Sequence, residues 1–113
     1  MRIRIQTLSL LAAIALAFVP GPSIAQNDSL WSVWNNASAP DSSRLKAIQV
    51  LAWKAVFEQP DSGMALAERQ LSLALRSKDL KAQYEAHTTI VVGSSMKSDY
   101  TTSLEHAHQC LAT

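Results

Sequence analysis

Two histidines and the only cysteine of the chain stand within five residues of one another, as His106, His108 and Cys110. Imidazole nitrogen and thiolate are ligands for zinc and copper, and a thiol beside an imidazole is a candidate redox centre or nucleophile. Any of these chemistries requires the side chains to converge. The surrounding stretch, "DYTTSLEHAHQCLA", predicts a helix over 99–112, with Asp99 as its cap and Tyr100, Leu104, Ala107 and Leu111 recurring at helical spacing. On that helix His106 and Cys110 share a side, whereas His108 points about 200° away from His106. The three cannot meet on one ion without breaking the helix, and two ligands alone make a poor structural zinc site. No metal site is expected here. His106 and His108 are read as surface residues flanking Ala107.

Other catalytic frames are missing from the sequence. It has no glycine-rich phosphate loop, no HExxH, no paired cysteines and no nucleophile elbow. Glu58, Glu68, Glu85 and Glu105 fall at positions expected to face water, which gives no support for a carboxylate pair. No catalytic residue and no cofactor is therefore expected, and the chain is read as a non-enzyme. A single cysteine also rules out a disulfide framework within one chain. Helix packing alone must hold it together.

The amino terminus reads as an export signal. Arg2 and Arg4 are followed by the apolar run "LSLLAAIALAFV", Leu8 to Val19, then Pro20-Gly21 and the small residues of "SIA" ending at Ala25. Cleavage is expected between Ala25 and Gln26. The run is shorter than the roughly 20 residues of a membrane span, and Gln26 is not the cysteine of a lipoprotein. Residues 1–25 are assigned as a signal peptide, so the product is expected to be periplasmic or secreted. Removing them leaves 88 residues with eight basic and nine acidic side chains. A near-neutral chain without a basic block is not expected to bind nucleic acid.

The elements that position these residues are all predicted as helices. Residues 26–40 form a polar lead carrying a short helical turn, with Trp31 and Trp34 placed to cap the apolar end of the next helices. Over 43–58, Leu45, Ile48, Ala52, Ala55 and Val56 make one apolar stripe, while Val50, Trp53 and Phe57 make a second. A helix apolar on so much of its circumference is expected to be covered on two sides, which puts Trp53 in the core. Arg44, Lys54 and Glu58 are left for water. Caps are expected from Asp41, Ser42 or Ser43 here and from Asp61 for the next helix. That helix, 61–77, carries Met64, Ala67, Leu71 and Ala74 or Leu75 on its buried face. The third, 79–96, carries Leu80, Tyr84, His87, Ile90 and Val91. Its run Thr88-Thr89-Ile90-Val91-Val92-Gly93 has poor helix propensity, and a strand is the local alternative.

Two stretches align. "DSGMALAERQLSLAL" and "DYTTSLEHAHQCLAT" pair Gly63 with Ser103, Met64 with Leu104, Ala67 with Ala107 and Leu71 with Leu111, 40 residues apart. Each follows an apolar segment, "AIQVLAWKAVF" and "AHTTIVVGSSM", and a short turn. A helix–turn–helix unit recurring at this period marks an α-solenoid. On these residues 41–112 the chain resembles the tetratricopeptide repeat family. The resemblance rests on Ile90, Asp99-Tyr100, and the small residues Ser103, Ala107 and Cys110 followed by Leu111. Leu51, Ala52, Pro60-Asp61, Gly63, Ala67 and Leu71 are the counterparts in the earlier unit. The pattern departs where Val91, Ser94 and Ser98 replace the family's glycine, aromatic and glycine.

The resemblance implies an all-α fold of antiparallel helix pairs stacked as a short solenoid, with about two pairs in 41–113 and an incomplete carboxy-terminal end. It implies a module that binds a protein or peptide partner, with oligomerisation as one way to complete it. The signal peptide, tryptophan-bearing lead and repeats are also similar to the exported arm of bacterial signalling proteins. That implies, as the alternative, an input arm joined through a downstream membrane span to a histidine kinase, nucleotide cyclase or DNA-binding regulator.

Overall fold

A computed structural model describes residues 22–112, with side chains from Asn27 onward. It contains five helices and, among the described residues, no strand: α1 (Pro22–Asn35), α2 (Asp41–Glu58), α3 (Pro60–Ser77), α4 (Leu80–Met96) and α5 (Tyr100–Ala112). None is long and apolar enough to cross a membrane. Residues 1–21 of the expected signal peptide lie outside the described residues. The expected cleavage point Ala25–Gln26 falls inside α1.

Each helix packs on its neighbour in sequence, and α4 also lies against α2. Connections of two or three residues between α3, α4 and α5, and of one between α2 and α3, force the chain to reverse. The two later turns share one device. Lys78 and Ser98 adopt left-handed backbone, with φ of 56° and 59°. Behind them the Asp79 N–H donates to Ala74 O at 2.9 Å, and the Asp99 N–H to Ser94 O at 2.8 Å. This closes the preceding helix in a Schellman arrangement. The same aspartates start the next helix: Asp79 Oδ1 accepts from Ala82 N, and Asp99 Oδ1 from Thr102 N.

The other expected caps need correction. The residue before α2 is Pro40, which supplies no side-chain hydrogen bond, so Asp41 sits in the first helical turn. The start of α3 is set by Pro60 at its first position, with Gln59 before it and Asp61 inside the first turn. Pro60 has no amide to pair there, so one of the four free N–H groups of a helix start is absent. The amino-terminal lead is longer than the turn expected, a helix of 14 residues. Trp34 packs on the cluster of Leu45, Leu73, Ala74 and Ala82. Arg44 is not left to water: its Nε donates to Trp34 O at 2.9 Å and its guanidinium lies 4.9 Å over the Trp34 ring.

Residues 88–93 are helical. Thr88, Thr89 and Ser94 each donate a hydroxyl to the carbonyl four residues back, at 2.9, 3.1 and 2.6 Å. The hydroxyls are thereby satisfied inside α4. Tertiary burial of Ala82, Ala86, Thr89 and Ile90 outweighs weak propensity. Two glycines set the helix separations. A Cβ on Gly63 would lie 2.4 Å from Val56 Cα, so α2 and α3 touch backbone to backbone. A Cβ on Gly93 would lie 2.5 Å from Met64 Cγ and 2.9 Å from Val56 Cγ2, so α4 seats between α2 and α3.

The expected apolar faces are covered only in part. Leu45, Ile48, Leu51, Ala52 and Val56 of α2 are buried, but Val50, Trp53 and Phe57 are exposed, Trp53 by 40%. Trp53 is not core; its ring stacks edge-on with Phe57 at 5.0 Å. Leu75, Leu80 and Tyr84 are likewise exposed, because α3 and α4 turn Gly63, Ala67, Gln70, Ala82, Ala86 and Gly93 inward instead. Apart from Gln70, small residues take those positions because they let helix axes approach. In α5 no residue is buried.

Candidate functional site

The His-Cys cluster separates as helical geometry requires. His108 is exposed, while His106 and Cys110 are half-buried against α4. Cys110 Sγ lies 3.7 Å from Thr88 Oγ1 and 3.9 Å from Tyr84 O. Among the described residues no three His, Cys, Asp or Glu side chains gather as a metal site would need.

His106 is more than a surface residue. Its Nδ1 lies 2.7 Å from Nδ1 of His87, with ring centroids 4.9 Å apart. At that distance one ring donates its Nδ1–H and the other accepts. Burial, reinforced by the neighbouring His106 ring, holds His87 below the usual imidazole pKa. With a proton on every nitrogen the two rings would present donor to donor, and the contact would be lost. The sequence offered one signal for this pair. Helices joined by a tight turn bring together residues roughly equidistant from it, and His87 and His106 flank the turn at 97–99.

Further polar contacts join α4 to α5. Ser103 Oγ lies 2.8 Å from Ser95 Oγ and 3.5 Å from Val91 O. Asp99 anchors the start of α5, and its hydrogen bonds from the Thr102 hydroxyl and amide hold its carboxyl below the usual range.

The chemistry on the surface is apolar and aromatic. Between α2 and α4 a groove of about 150 Å³ is lined by Gln49, Trp53, Tyr84, Glu85 and Thr88. Tyr84 and Thr88 continue into a second groove of about 370 Å³ between α4 and α5, with Val91, Ala107, Cys110 and Leu111. The amide oxygen of Gln49 is buried without a hydrogen-bond partner beside the two aromatic rings. Exposed aromatic rings lining one groove suit a ligand that brings apolar surface. Sequence reading did not assign Gln49 or Tyr84 to a site, because a helix apolar on most of its surface does not reveal which stripe stays uncovered.

Comparison with protein-family models, with curated proteins and with solved structures finds no match to this chain.

Proposed function

We propose that this chain is an exported helical-repeat module of tetratricopeptide type that binds a protein or peptide segment and has no catalysis of its own. The observation that carries the reading is the groove between α2 and α4. There Trp53 and Tyr84, 40% and 50% exposed, line one groove with Gln49, Glu85 and Thr88. Exposed aromatics in a concave strip mark an interaction surface more than a fold requirement.

Three further features support the repeat assignment. The α4 helix packs on both members of the preceding pair. Ser98, which stands where the resembled family has glycine, has the left-handed backbone that glycine favours. Asp99-Tyr100 opens α5 as the family's pair does. Export rests on the signal-peptide features of residues 1–25.

Selection of a displayed peptide library on the full chain tests the function. The expected result is one enriched sequence class whose binding falls at least about tenfold in a Trp53→Asp/Tyr84→Asp variant, with circular dichroism unchanged. Failure to enrich any class, or equal binding by that variant, would overturn the reading.

A further inference from the structure

One contact between α4 and α5 is made by two groups that both change charge near neutral pH. His87, 8% exposed, and His106 meet through their Nδ1 atoms at 2.7 Å. An imidazole nitrogen either carries a proton and donates, or carries a lone pair and accepts. The neutral pair has one of each between its rings. A first proton, taken at Nε2 of the donating ring, leaves that bond in place, because the imidazolium still donates Nδ1–H to its neutral partner. A second proton takes the remaining Nδ1 lone pair. Two N–H groups and two positive charges then stand face to face.

No neighbouring carboxylate offsets that charge. On α4 itself, Glu85 pairs with Lys81 at 3.9 Å and lines the grooves toward α2, beside Lys46. From α3, Asp61 is paired with Lys97. From α5, Asp99 is held by the Thr102 amide and hydroxyl, Glu105 is exposed, and the Cys110 thiol faces Thr88 Oγ1 and Tyr84 O. Among the described residues the one charged group that bears on His87 is His106. The packing of α2, α3 and α4 rests on different groups: Ile48, Ala52, Ala67 and Ile90 are buried, and Gly63 and Gly93 set the close approaches. The remaining histidine of the chain, His108, is exposed. Acid between neutral pH and the carboxylate range therefore reaches the α4–α5 contact and leaves that core untouched.

We propose that His87 and His106 form a proton-operated joint: the pair keeps α5 seated on α4 with no proton or one, and a second proton releases α5 while α1 to α4 stay packed. With no buried residue in α5, apolar burial does not hold the helix against the loss of this contact. Release uncovers the side of α4 that carries Thr88, together with the Cys110 thiol set against it. The joint is a regulatory device beyond the binding role proposed above, and it does not depend on that role.

Hydrogen exchange of the full chain from pH 7.5 to 5, with each amide rate divided by its intrinsic rate at that pH, is the test. The imidazole ring signals are followed by NMR over the same range. The expected result is a fall of at least about tenfold in α5 protection that tracks the titration of His87, with α2 and α3 unchanged. Two variants separate a proton-operated contact from a merely structural one. His106→Asn keeps an oxygen that accepts from His87 in either charge state, so its α5 protection should not vary over this range. His106→Asp places a carboxylate opposite His87, so its α5 protection should rise on acidification. A loss shared equally by α2 and α3 would overturn the proposal. So would an acid loss that persists in His106→Asn, or an α5 in His106→Asp that is open at pH 7.5 or gains nothing in acid.

Discussion

Between α2 and α3 lies a groove lined by Leu45, Ala52, Val56 and Ala67, into which α4 is pressed closely enough to require glycine at 93. Between α4 and α5 lies a groove of the same register, lined by Tyr84, Val91, Ala107 and Leu111 and open to solvent. Similar helix pairs therefore carry different loads. The first pair is stabilised by burial of side chains on both helices, while the second depends on one helix, α4, that is buried from its other side. A polar seam holds α5, made of Ser95–Ser103, His87–His106 and the contact between the Cys110 thiol and the Thr88 hydroxyl.

The largest effect separating the two regions is expected at the helix contact of each pair. Gly63→Val would drive a side chain into the Val56 backbone and should cost at least about 3 kcal/mol in urea unfolding. Ser103→Val, at the corresponding position, loses the hydroxyl contacts to Ser95 and Val91 without meeting a buried backbone, so about 1 kcal/mol is expected. Equal costs would erase the distinction.

Acidification should act on the second pair first. Above about pH 6.5 His87 is neutral in both folded and unfolded chains, and the contribution of its neutral form is fully present. As pH falls through that value the unfolded chain binds the proton more readily, because the folded-state pKa of His87 is lowered. Stability then rises with pH across this window and is lost on going down. Amides of α5 should lose protection between about pH 7 and 5 before those of α3 do. His87→Gln should flatten that dependence; an unaltered profile would show that the histidine pair does not govern it.

The smallest effects lie in the two turns. Lys78→Gly and Ser98→Gly each relieve left-handed backbone and should gain up to about 1 kcal/mol. Global stability should register the gain at 78, whereas the gain at 98 should be confined to protection of α5. A global gain from Ser98→Gly would mean that α5 unfolds together with the rest.

Much of this architecture was legible in the residues. Pro60, Asp79 and Asp99 mark helix starts, and the limits of α2 to α5 fall within about two residues of those expected. The covered faces were less legible. In α2, Trp53 and Phe57 are as apolar as Ile48 and Val56, and only the direction from which α4 arrives decides which are buried. Gly93 read as a weakness in a helix, yet it is the point of closest approach between α4 and the first pair. His87 and His106 stand 19 residues apart, so their contact exists only once α4 and α5 fold back on each other. Local pattern fixes elements; contacts between elements need the third dimension.

Hydrogen exchange on the full chain tests the central contrast most directly. With no buried residue, α5 should open at a free energy at least about 2 kcal/mol below that of α2 and α3. An α5 as protected as α3 would contradict the contrast between a buried first pair and a lightly held last helix.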